Sequence, residues 1–158
     1  MGDIGPIAGG NTALHGVKAY NSIAQSIGSG ATAALLLDSE EFDTDGYHST
    51  SVNTSRITIP VGMDGYYQLT GHCHVPYQYD AALWFKVGGS TSVVGSGFGH
   101  GIGISAGTNS FDGVASAVVY LAAGQYVEFW GYSDGAAENF GHANADLHTT
   151  VTAIRIGV

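Results

Sequence analysis

His72-Cys73-His74 is the stretch of this sequence whose residue types and spacing come nearest to chemistry. On a strand, residues two apart share a face, so both imidazoles point the same way, a spacing used by metal sites. Cupin-type enzymes that use it add a Glu a few residues on and a distant third His. Here the next acid is Asp80, beyond Pro76 and two tyrosines. A catalytic metal is therefore not expected. A metal shared between subunits stays open, and packing at a subunit interface is the favoured reading. Asp43-Thr44-Asp45-Gly46 opens like a calcium loop, but the position of the bidentate Glu falls on Thr54. Capping of a turn by these side chains is favoured over a looser calcium site on Asp43 and Asp45. The glycine-rich run from Gly97 to Gly103 echoes a phosphate loop. With no helix after it and no placed Lys, it reads as a loop or a glycine-bulged strand. No Ser-His-Asp or Cys-His arrangement is defensible from spacing. No cofactor is expected.

The elements that must position these residues are strands. Val17 to Asn21, Ala33 to Asp38, Arg56 to Val61, Gly65 to Val75 and Ala82 to Val87 are rich in β-branched and aromatic residues. So are Val114 to Leu121, Gln125 to Tyr132 and His148 to Ile156. Breaks such as Asp45-Gly46, Asp64-Gly65, Gly88-Gly89, Ala123-Gly124 and Asp134-Gly135 separate several of them. Short strands with turn signals between them predict an all-β sandwich or barrel. No window shows a 3.6-residue apolar stripe, so helix content is expected to be minimal. The clearest alternation runs from Tyr66 to Val75. Tyr67, Leu69, Gly71, Cys73 and Val75 point one way; Tyr66, Gln68, Thr70, His72 and His74 point the other. Cys73 reads as a small buried hydrophobe, which argues against a nucleophilic role. The aromatics Tyr77, Tyr79, Trp84, Phe98, Phe111, Trp130 and Phe140 are assigned mostly to the core, with Tyr77 and Tyr79 as an alternative exposed contact.

Composition limits the function classes. Charged residues make up 11% of the 158, against about 25% in ordinary soluble domains. Four basic side chains stand against 13 acids, for a formal net charge of −9. Nucleic acid and anionic membranes are thereby disfavoured as partners, because both are bound through clustered Lys and Arg. Apolar stretches such as Ala31 to Leu37 are far short of the roughly 20 residues of a spanning helix. The first residues lack a basic segment followed by an apolar one, so a secretory signal is not expected. Cys73 is the single cysteine, which excludes an internal disulfide and leaves the redox compartment open. Residues 1–14 read as an extended N-terminal arm, either a disordered terminus or a segment that orders on a neighbouring subunit, and 15–158 as one domain.

Three stretches together resemble a known family. They are Phe42 to His48 followed by Asn53 to Pro60, then Gly65 to Gly71, then Ala117 to Phe129 with its strand-turn-strand pattern. With the closing strand Val151 to Gly157, the chain is similar to the C1q/TNF-like jelly rolls, in the form met in bacterial and bacteriophage proteins. Gly71 departs from the pattern, standing where the family prefers an aromatic. The resemblance implies a ten-strand, two-sheet jelly roll in a compact homotrimer. It also implies that the strand over 65–75 lies in the inner sheet and turns its non-core face toward the three-fold axis. Carried over by position, Gln68, Thr70, His72 and His74 become the expected trimer-interface residues. Six imidazoles would then gather near the axis, and acid is expected to weaken association by adding like charge.

The function expected from this is non-enzymatic: a trimeric capsid decoration (cement) protein of a phage virion, assembled in the host cytoplasm. Its partners would be its own copies and the major capsid protein or other virion subunits. Ile4, Pro6 and Ile7 of the arm are the expected capsid contacts. The alternative is a receptor- or glycan-binding tip domain of a tail fibre or spike, disfavoured because no shaft segment is evident.

Overall fold

The computed structural model describes residues 13–75, 81–88, 93–99, 111–134, 137–141 and 148–158, with the backbone alone at 93–99, 111 and 138. The expected arm contacts Ile4, Pro6 and Ile7, and Tyr77 and Tyr79, lie outside the described residues, as does the glycine-rich run beyond Gly99. Every element among the described residues is a strand. In chain order they are β1 (Gly16–Asn21), β2 (Gln25–Ile27), β3 (Thr32–Ala34), β4 (Ser39–Asp43), β5 (Arg56–Thr58) and β6 (Gly65–Val75). Then come β7 (Ala81–Val87), β8 (Val93–Gly99), β9 (Phe111–Leu121), β10 (Tyr126–Ser133), β11 (Glu138–Phe140) and β12 (Thr149–Gly157).

Two five-stranded antiparallel sheets face each other. One runs β4-β1-β12-β6-β9; the other runs β3-β10-β7-β8, with β5 also paired to β10. A short ribbon of β11 and β2 closes one side. First and last long strands, β1 and β12, lie side by side, and chain neighbours are split between the sheets, which makes this a jelly roll rather than a meander. The ten strands of the two sheets match the expected number.

Alternation decides what lies between the sheets. Val17, Ala19, Tyr67, Leu69, Cys73, Val151 and Ala153 of the first sheet meet Leu83, Phe85, Val127 and Phe129 of the second, all buried. Each large apolar side chain so buried contributes about 2 kcal/mol. Gly71 sits in this layer because Phe129 takes the room: a Cβ at Gly71 would come within 2.7 Å of the Phe129 ring. An aromatic from the opposite sheet thus occupies the space that the family pattern fills from position 71. Where β9 turns into β10, Gln125 N–H donates to Ala122 O at 3.0 Å, and Gly124 takes φ 82°, a conformation glycine adopts without a Cβ clash.

Two expectations need correction. The strand expected over Ala33–Asp38 is the shorter β3, and the chain pairs again only at β4. There Ser39-Glu-Glu-Phe-Asp43 forms an edge strand beside β1; its acidic sequence hid it. Trp84 and Trp130 are not core. They oppose each other across β7 and β10 on the outward face of the second sheet, alternating with the buried Leu83, Phe85 and Phe129. Lys86 Nζ lies 3.7 Å from the Trp130 ring centroid, a contact between cation and ring face. Phe140 is buried as expected.

Candidate functional site

The outward face of the first sheet is built by β6 and its edge neighbour β9. Their register sets Tyr66 against Tyr120, Gln68 against Val118, Thr70 against Ser116, His72 against Val114 and His74 against Asp112. All four expected interface residues therefore lie on one face, opposite the buried Tyr67, Leu69 and Cys73. Beside them Tyr66 (49%), Val114 (54%), Val118 (58%) and Tyr120 (49%) are exposed. Tyr66 and Tyr120 meet edge to face, with centroids 5.4 Å apart. Gln68 Nε2 donates to Ser116 Oγ at 2.8 Å. The stripe carries aromatics at one end and imidazoles at the other, and Asp112 is its single formal charge among these ten residues. Sequence reading missed Val114, Val118 and Tyr120 as surface residues, although their own alternation carries the signal.

At the imidazole end, Asp112 is the residue that spacing alone did not reveal. Its Oδ1 accepts from His74 Nδ1 at 2.9 Å and stands 3.4 Å from His72 Nε2. His74 is buried and His72 half-buried. Two imidazoles thus converge on one carboxylate oxygen.

The Cys73 between them faces the core. Its Sγ lies 3.2 Å from Thr149 Oγ1, and burial pushes its thiol up to about 12. Thiolate is the reactive form, so a small alkylating reagent at neutral pH should label Cys73 only on denaturation. Rapid labelling of the native protein, followed by mass spectrometry, would contradict this placement.

The Phe42 to His48 motif is a clamp. Asp43 Oδ1 accepts the backbone N–H groups of Asp45, Gly46 and Tyr47 at 3.2, 2.9 and 3.0 Å, and Oδ2 that of His48 at 2.9 Å. With its oxygens spent on these donors, Asp43 caps a turn, the reading favoured over a calcium ligand. Thr44 Oγ1 accepts from Gly16 N–H at 2.9 Å. Hydrogen bonds from Thr44 and then His15 hold the Asp45 carboxyl below its ordinary value. A lowered carboxylate stabilises the fold above its unfolded pKa and loses that contribution as pH falls through the folded one. Tyr47 is buried with its hydroxyl 3.2 Å from that of Tyr67, and burial raises both phenols. His48, its side chain fully enclosed, spans Glu40 Oε1 at 2.8 Å and Thr54 O at 3.1 Å. Further on, Arg56 Nε and Ser55 Oγ both donate to Glu128 Oε1 at 3.2 Å. The motif that carries the family resemblance is therefore structural. Asp43→Ala leaves four donors without their acceptor and is expected to cost about 2 kcal/mol, read as a lowered urea midpoint; an unchanged midpoint would contradict the clamp.

Among solved structures, the chain is similar to the globular domain of zebrafish complement 1qA protein. They share 12% identity and a TM-score of 0.62, over 90% of this chain and 97% of that one. It is similar to Eiger TNF from S. frugiperda at 6% identity and a TM-score of 0.63, covering 91% and 93%. It is similar to murine APRIL at 8% identity and a TM-score of 0.65, covering 91% and 100%. The fold is a C1q/TNF-like jelly roll. No protein-family model and no curated protein matches the sequence.

Proposed function

We propose that this protein is a non-enzymatic structural subunit that forms a homotrimer through the β6/β9 face and decorates the outer surface of a phage capsid. The observation that carries the trimer is the stripe of Tyr66, Val114, Val118 and Tyr120, each about half exposed on a sheet face with one formal charge. Contiguous apolar surface of this kind marks an association site. A second copy fits it because the stripe carries a single formal charge among its ten residues and can therefore meet itself. Fold analogy with the C1q and TNF neighbours supports the same occupant.

Attachment to a capsid is supported by the end of the sandwich where β12 finishes and β6 begins. Leu14, Ile156 and Val158 gather there, and the turn after Pro60 presents Val61, 94% exposed. Exposed apolar side chains there, beside His15 and Arg155, suit docking onto another protein. Cryo-EM of the native particle tests this: density for the trimer on the capsid, with this end toward the shell, is the expected result. Density at a tail tip would overturn it. The opposed Trp84 and Trp130, half-buried on the outward face of the second sheet, favour one second reading, a glycan-binding tip domain, since sugar faces stack on indole rings. A glycan array on which only the Trp84→Ala and Trp130→Ala proteins fall silent would support that reading.

A further inference from the structure

The imidazole end of the stripe does more than pack. Asp112, as a carboxylate, only accepts, so His74 donates to it from Nδ1 at 2.9 Å, and its negative charge, 3.4 Å from His72 Nε2, favours the His72 proton on that nitrogen. His72 is thereby oriented with Nδ1 as its lone-pair nitrogen. This arrangement of imidazole, carboxylate and second anchor is how proteins orient a metal-binding histidine. His74, buried against the same oxygen, fixes Asp112 in place. Around His72 stand Val114 on β9 and Thr150 on β12, both uncharged.

We infer that the homotrimer binds a divalent first-row transition cation on its axis, through the Nδ1 atoms of three His72 side chains, with Asp112 and His74 as positioning residues. The inference rests on the trimer proposed above. Three neutral imidazoles suit zinc, nickel or cobalt and not calcium or magnesium, which prefer oxygen ligands. Charge points the same way. Three Asp112 carboxylates would gather near the axis, and the β6/β9 stripe holds no Lys or Arg to offset them. A cation between the histidines supplies that compensation. One chain holds no group of three metal-ligating side chains among the described residues, so the site exists only when three copies assemble.

The test uses the full chain, stripped with chelator, checked for mass in solution and titrated with Co²⁺. The expected result is a trimer that takes up one Co²⁺ per three chains, with a visible d–d absorption band. His72→Ala should abolish the band. Asp112→Asn, which keeps the volume, should weaken binding by about 10- to 100-fold. A trimer that takes up no Co²⁺, or one Co²⁺ per chain, overturns the metal site and leaves the trimer standing. Undiminished uptake by His72→Ala overturns it as well. A monomer overturns both readings.

Discussion

Val118→Asp is expected to yield a folded monomer in place of the proposed trimer. Val118 stands on β9 opposite Gln68, and more than half of it is exposed in the single chain. A carboxylate there is solvated in the monomer, and the fold should change by no more than about 0.5 kcal/mol. In the trimer it would be taken from water beside Tyr66, Tyr120 and its own symmetry copies. An unpaired charge so buried costs several kcal/mol; a total near 4 kcal/mol raises the dissociation constant by about a thousand-fold. Sedimentation velocity across a dilution series reads this directly. A Val118→Asp protein that stays trimeric would remove the β6/β9 face as the interface.

Phe129→Ala is expected to be the most damaging single change to the fold itself. The ring lies between the sheets, its centroid 5.0 Å from that of Phe85, and it fills the space over Gly71. Truncation leaves a cavity walled by two rigid sheets that collapse poorly around it, at a cost of about 4 kcal/mol. Denaturant midpoints compared at equal protein concentration measure this, since assembly adds its own stabilisation. Gly71→Phe does not rescue by restoring the family's aromatic. The ring at Phe129 already stands 2.7 Å from that Cβ, so the expected result is further loss. A double change, Gly71→Phe with Phe129→Ala, should recover part of the stability lost by Phe129→Ala alone, because the volume is then supplied from the other sheet. Purely additive losses would contradict that exchange.

How far the sequence carried depends on whether a feature is local. The strand over 65–75 was legible to the residue, because a two-residue period over eleven positions leaves one register. That alternation placed Cys73 inward and Gln68, Thr70, His72 and His74 outward, as observed. The partner of the two histidines was not legible. The expected strand began at Val114, whereas β9 starts at Phe111, and the three residues between hide Asp112. Its pairing with His74 spans 38 residues, a separation no local pattern encodes. The run Asp112, Val114, Ser116, Val118, Tyr120 alternates as cleanly as β6 does, and reading it two residues further back would have shown the acid on the imidazole face. The turn-capping role of Asp43 was legible because its donors lie within five residues, at Asp45 to His48, whereas the ties of Phe42 to His48 to His15, Gly16 and Tyr67 were not. Trp84 and Trp130 were misplaced by a habit of assigning large aromatics inward. The inward set Ala81, Leu83 and Phe85 already required the intervening Trp84 to face out.

The central claim is that the β6/β9 stripe is covered by two further copies of the same chain. The most direct measurement is the native mass of the 158-residue chain in solution at about 10 µM, a concentration at which an interface of about −12 kcal/mol or tighter is saturated. The account predicts a mass three times the 16.2 kDa of one chain. A single species at 16.2 kDa, unchanged on tenfold concentration, would contradict it.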